Sequence, residues 1–194
     1  VLDQILEIIE DKKVEAVMIA GDIFDTALAS AEALDLYNYF IEKIVFDLDI
    51  PVLAIAGNHD SAKRLDVNKR FYKTNKYYLA GEFNRDKVTL FDDEGPLNFY
   101  LLPFMSLAKG EVLFGEKLDD FTRLYELALE GIDYNDRNVL ITHCYASYSE
   151  GTLETAYNEG QKPLVIGGSD MMDASLFDKF DYVALGHLHS APFV

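Results

Sequence analysis

Short apolar runs alternate with amphipathic stretches along most of this chain. Residues 2–12 place Leu2, Ile5, Leu6 and Ile9 at the spacing of one helix face. Val14 to Ala20 is too short and too continuously apolar for a surface helix, and predicts a buried strand. Ser30 to Val45 returns to helical spacing. Ser30 is its expected cap, and Ala33, Leu34, Tyr37, Phe40, Ile41 and Ile44 form the expected inner face. Pro51 then opens a second buried strand, Val52 to Ala56. The unit is strand, helix, strand, with polar residues past both strand ends. That is the usual place for a site in an α/β sheet.

Further along, residues 66–76 predict helix and turn, and Tyr77 to Ala80 a short strand. Val88 to Phe91 and Leu97 to Leu102 flank a turn at Asp92 to Pro96 and predict a β-hairpin. Leu118 to Leu129 is an amphipathic helix, Val139 to Thr142 a buried strand, Asp173 to Phe180 a short helix and Tyr182 to Leu185 the last strand. Tyr145 to Gln161 has no period and is rich in Tyr, Ser, Glu and Gly, which predicts a mobile loop over a site. No internal repeat or low-complexity tract is present. The order suits an α/β sandwich better than one doubly wound sheet.

Length and composition narrow this picture. The 194 residues make one domain's worth of chain, with a hydrophobic share of 49%. No run of 18 or more apolar residues occurs, so no membrane span is indicated. The one cysteine, Cys144, excludes an intrachain disulfide and fits a reducing, cytoplasmic setting. Beside His143 it reads as a thiolate ligand or, preferably, as a small buried side chain at a strand end. The chain opens within a helix, without an initiator Met, and stops abruptly at Val194. It reads as a piece of a longer protein.

The net charge of -17 repels polyphosphate unless cations or local patches intervene. Lys63, Arg64, Lys69, Arg70, Lys73 and Lys76 crowd together with only Asp66 opposing them. They form either a solvated helix face or a phosphate-contacting strip.

The candidate chemistry lies at the strand ends. All four histidines fall in three short segments, Gly57-Asn58-His59-Asp60, Thr142-His143 and Gly186-His187-Leu188-His189. A further apolar run leads to Gly21-Asp22-Ile23-Phe24-Asp25. A carboxylate such as Asp22 can bridge two cations, or it can simply serve a turn. Asp25 is a ligand or a loop-orienting residue. Asn58 offers a neutral oxygen to a hard cation, and His59 an imidazole that titrates near neutral pH. Asp60 could accept a histidine proton and set its tautomer. In an extended segment His187 and His189 face the same way. Mixed nitrogen and oxygen ligands favour Mn, Fe or Zn over Mg or Ca. Two ions sharing a carboxylate suit hydrolysis of a phosphate ester.

Together these motifs resemble the calcineurin-like metallophosphoesterases. The stretches Gly57 to Leu65 and Phe180 to His189 are similar to the SbcD group within them, nuclease subunits that work with the SbcC ATPase in processing double-strand breaks. Gly160 to Leu164 and Gly167-Gly168 also resemble that group. The resemblance implies a four-layer α/β/β/α sandwich with two mixed sheets. It implies two Mn ions, with Mg, Fe or Zn as substitutes. Asp22 would bridge them; Asn58, His143 and His187 would hold one ion, and His189 the other. His59 would be catalytic over the scissile phosphate, supported by Asp60. The implied activity is 3'-5' double-strand exonuclease and single-strand or hairpin endonuclease action in DNA repair, recombination and replication. The implied partners are DNA, an SbcC-type ATPase and a second copy.

One departure stands out. The D-x-H motif of the family's first strand is absent and would lie upstream of Val1; it supplies ligands to the ion that His189 holds. The expectation is therefore one nuclease domain over residues 1–194, truncated at its start and without the DNA-binding cap and ATPase-gripping helices beyond Val194. Such a piece should be weak or inactive alone. Two alternatives stay open: a phosphodiesterase or phosphatase of the same superfamily acting on small substrates, and a catalytically incompetent structural fragment.

Overall fold

The computed structural model describes residues 1–148 and 171–188. The elements run α1 (Leu2–Asp11), β1 (Val17–Ala20), α2 (Ala31–Glu42), a π-helical turn (Lys43–Asp47), β2 (Val52–Ile55), α3 (Ala62–Leu65), α4 (Lys69–Lys73) and β3 (Tyr77–Ala80). They continue with β4 (Lys87–Asp92), β5 (Gly95–Leu102), α5 (Leu107–Phe114), α6 (Phe121–Leu129), β6 (Arg137–His143), β7 (Tyr145–Ser147), β8 (Met171–Asp173), a 3-10 turn (Ala174–Phe177) and β9 (Tyr182–Gly186).

Two sheets carry the architecture. The first, ordered β1-β2-β3, is parallel throughout. The second, ordered β4-β5-β6-β9, is mixed: β4 and β5 form the antiparallel hairpin, and β5, β6 and β9 run parallel. A small parallel pair, β7-β8, stands apart.

The alternation of side chains along each strand builds the layers. In β2, Val52 and Ala54 pack with Leu6 and Ile9 of α1 and Phe40 and Ile41 of α2. Leu53 and Ile55, on the opposite face, pack with Phe99, Leu101, Val139 and Ile141 of the second sheet. On that sheet's far side, Leu102 and Leu140 meet Leu124, Tyr125, Ala128 and Leu129 of α6. Three core clusters thus separate four layers, α/β/β/α, as the resemblance implied. All four residues of β2 are buried, which explains why it reads as an unbroken apolar run rather than as an alternating one.

Several element ends differ from the sequence expectation. The first strand starts at Val17 rather than Val14. The α2 helix gives way to a π-turn at Lys43, and Leu34, expected inside, is 45% exposed. Ser30 does cap α2, its Oγ accepting from the Ala33 N–H at 3.2 Å. The α6 helix begins after Asp120, not at Leu118, because Asp120 Oδ1 accepts from the Arg123 N–H at 2.8 Å. The helix expected over residues 173–180 is a single 3-10 turn. Tyr145 to Ser147, expected as loop, pairs with β8. Residues 149–161 of that expected loop lie outside the described residues, as do 162–170 and 189–194. The sequence pattern did not point to α5, although Ser106 caps it and Gly115 ends it at φ +68°. Among the described residues no helix is long and apolar enough to cross a membrane.

Candidate functional site

Parallel strands end on the same side, so β1, β2, β6 and β9 deliver their following residues to one edge of the sandwich. The ends of β1, β6 and β9 are brought together where the two sheets face each other. His143 is the last residue of β6 and is 1% exposed. Its Nδ1 lies 2.7 Å from the carbonyl oxygen of Ala20, which can only accept. Nδ1 therefore carries the proton. Nε2 then faces Asn58 Oδ1 at 2.9 Å and Asp22 Oδ2 at 3.3 Å. Asn58 Oδ1 also lies 3.1 Å from His187 Nδ1, and the His143 and His187 rings meet edge to face.

Three glycines make this approach possible. Gly186 is the register partner of His143. A Cβ on it would lie 1.8 Å from the Ala20 oxygen and 2.8 Å from His143 Nδ1. A Cβ on Gly57 would meet Asp22 Oδ1 at 2.1 Å, and one on Gly21 would meet His143 Nδ1 at 2.3 Å. The backbone is also bent at two site residues: Asp22 has φ +49° and His187 φ +102°. Asp22 lies at the edge of the left-handed well that Asp tolerates, whereas His187 lies well beyond it, a costlier conformation of the kind found at functional sites.

The loops after β1 and β2 are tied to each other. Asp22 Oδ1 accepts from the His59 backbone N–H at 3.0 Å. His59 itself is exposed, and its Nδ1 lies 2.8 Å from the Asp25 carbonyl oxygen. That carbonyl, followed by the charge of Asp22, holds the His59 imidazole above its usual range. Asp60 accepts from the backbone N–H groups of Gly57, Ile23 and Phe24 at 2.8, 3.0 and 2.9 Å. The direct bond expected between Asp60 and a histidine ring is not formed; His59 Nδ1 is turned to Asp25 instead.

The structure brings Asp22, Asn58, His143 and His187 together, with His59 on the rim. His189 lies outside the described residues. His187 itself is not extended, at φ +102°. Cys144 is buried against Met172, and burial raises the pKa of its thiol; its sulfur is turned into the core, as a small buried side chain. Among the described residues no three His, Cys, Asp or Glu side chains converge to hold a metal ion by themselves, without a further donor such as an amide oxygen. The shared neighbour here is an amide: Asn58 stands between the two histidines, and Asp22 reaches only one of them. Two contributors leave no trace in the sequence because they are backbone carbonyls, of Ala20 and Asp25. A third, Phe104, sets its ring edge-on to His143 from the loop after β5; nothing in its local pattern marks it.

The basic strip is partly neutralised. Lys69 pairs with Asp66 and Lys76 with Asp49, at 2.7 and 2.6 Å. Lys63, Arg64, Arg70 and Lys73 are exposed and form no ion pair among the described residues.

The family model of calcineurin-like phosphoesterases matches residues 1–191. The chain is also similar to the SbcD component of the nuclease SbcCD from Staphylococcus saprophyticus, with 29% identity over 196 residues. That match covers 97% of this chain and 50% of the relative, so the chain spans about half the length of the curated relative it matches.

Proposed function

This chain belongs to the calcineurin-like phosphoesterase family, and from that premise we propose that it is the metal-dependent, phosphodiester-cleaving domain of an SbcD-type DNA nuclease. The observation that carries the reading is the meeting of acceptors at His143. With Nδ1–H given to Ala20, Nε2 of the ring faces two oxygens, of Asn58 and Asp22. Lone pairs crowded at this range need a proton or a cation between them. The donor set therefore fits a divalent ion. Asp22, Asn58, His143 and His187 would hold it, with His189 contributing to a second. Mixed imidazole and oxygen ligands favour Mn, Fe or Zn over Mg, and the similarity to the SbcD group favours Mn among them.

When bound, such ions activate a water and offset charge on the phosphoryl oxygens. The chain's own residues do the rest. His59, tethered by Asp25, lies beside the Asp22 loop. In the proposed step a water gives up one proton to solvent as its oxygen bonds to phosphorus, the bond to the leaving oxygen breaks, and His59 gives that oxygen its proton and is reprotonated from solvent. Asp22 and Asn58 would serve as oxygen donors that hold the ion beside the phosphate. The unpaired Lys63, Arg64, Arg70 and Lys73 support a polyanionic substrate over a small one, despite the net charge of -17. The proposed partners are DNA, an SbcC-type ATPase and a second copy; the similarity to an SbcCD component supports the ATPase.

The test combines metal content with substrate choice. Elemental analysis should find Mn retained after dialysis, and Mn should support cleavage of a blunt or nicked duplex by the full-length polypeptide. Hydrolysis of bis-(p-nitrophenyl) phosphate without duplex cleavage would move the assignment to a small-substrate phosphodiesterase. A chain that binds no Mn and folds identically with chelator would be a structural element instead.

A further inference from the structure

We propose that Asp60 is a positioning residue that sets the distance between the oxygen donors Asp22 and Asn58, and does not handle the proton of a histidine. The inference rests on the metal-centre reading above. The β1–β2 ladder ends at the pair Ala20 and Ile55. Beyond it, the loops bearing Asp22 and Asn58 have no strand hydrogen bonds to keep them in register. Asp60 takes over that task. One oxygen, Oδ2, accepts from Ile23 N–H at 3.0 Å and from Gly57 N–H at 2.8 Å. The other, Oδ1, accepts from Phe24 N–H at 2.9 Å. Ile23 directly follows Asp22, and Gly57 directly precedes Asn58. A single carboxylate thus grips the peptide beside each donor.

The return contacts run the other way. The His59 N–H donates to Asp22 Oδ1, and His59 Nδ1 to the Asp25 carbonyl. Phe24 is further seated by its ring, edge-on to Tyr37 of α2 with centroids 5.3 Å apart. Asp22 sits in this frame at φ +49°, in the left-handed region. Holding it there lets Oδ2 reach His143 Nε2.

The carboxylate is required as such. An amide has one oxygen and one NH2 group. Whichever way Asn were turned at position 60, its NH2 would face an N–H donor: Phe24 in one orientation, Ile23 and Gly57 in the other. Asp60→Asn is therefore nearly the same size and still breaks the grip.

The experiment compares wild type and Asp60→Asn by equilibrium dialysis with Mn2+, by amide hydrogen exchange at Ile23 and Phe24, and by turnover at saturating Mn2+. The expected result is Mn2+ affinity weaker by about 10- to 100-fold, faster exchange at both amides, and turnover restored toward wild type once Mn2+ saturates. A role in loop stability alone would lower the melting temperature and leave the Mn2+ affinity of the folded protein intact. Unchanged affinity with both amides still protected, or turnover that stays low at saturating Mn2+ with affinity unchanged, would overturn the proposal. If Asp60→Asn does not fold, exchange in the wild type decides: protection of Ile23 and Phe24 matching the β2 ladder supports the grip, and loop-like exchange refutes it. A wild type that fails to bind Mn2+ would instead refute the metal-centre reading, and the exchange data would still judge the grip.

Discussion

The two ends of β6 each bury a polar side chain, and they do so by opposite means. Asn138 at the start is fully buried, and His143 at the end is 1% exposed. Around Asn138 every donor meets an acceptor. Its amide nitrogen donates to the carbonyls of Asp133 and Asp136, and its oxygen accepts from Asn98. Asn98 accepts in turn from Thr89 and donates to Asp136, while Asp181 takes the Asn138 N–H. That network closes on itself, pinning β4, β5, β6 and β9 in register. Around His143 the partners are Ala20 oxygen, Asn58 oxygen and Asp22 carboxylate, all acceptors. The backbone there is bent at Asp22 and His187, and glycines let it approach closely. A closed network stabilises the fold, whereas an acceptor-rich one is incomplete until a proton or cation enters it. Burial alone does not separate a structural polar cluster from a functional one; the balance of donors and acceptors does.

Substitutions at the two ends should therefore fail differently. The largest effect is expected at the His143 end. His59→Ala should lower turnover by about 10²- to 10⁴-fold, the usual worth of a positioned proton donor, with Mn2+ still bound. His187→Ala should lose Mn2+ as well. Metal content and rate measured on the same samples check this, and equal metal loss in both would undo the division of roles. Gly186→Ala should come next. Its methyl would collide with the Ala20 carbonyl, costing roughly 1–3 kcal/mol as overpacking does and abolishing Mn2+ retention. Thermal melting and dialysis read both parts.

At the other end, Asn138→Ala should cost about 1–3 kcal/mol, because it strands buried partners. Urea unfolding would measure that loss. The Mn2+ affinity of the folded protein should not change; if it did, the two ends of β6 would be coupled rather than independent. The smallest effect is expected far from both. Ser30→Ala removes one helix cap and should cost about 1 kcal/mol, with no change in metal content.

Much of the frame is legible in the sequence because strand and helix periods are local properties. Tyr77 to Ala80 reads at its observed bounds, and the hairpin of β4 and β5 follows from two short apolar runs and a turn. Boundaries fail where a cap or a tertiary contact intervenes, as at Asp120, or where an apolar residue stays outside, as with Leu34. Asp22, Asn58, His143 and His187 stand out by their places after apolar runs, and the fold does gather them. The part that Asp60 plays is not legible. Two of its three partners are the backbone N–H groups of Ile23 and Phe24, 37 and 36 residues away in the chain, and backbone groups carry no residue code.

What the chain's own pattern determined was the set of strands and helices, the residue types at the strand ends and the family they resemble. These follow from short-range periodicity and from side-chain chemistry. The tertiary structure alone decided which atoms meet. Two facing sheets bring the ends of β1, β6 and β9 together, three glycines remove the side chains that would keep them apart, and the Ala20 carbonyl chooses the tautomer of His143. Those contacts depend on backbone atoms common to every residue, so only the folded chain can place them.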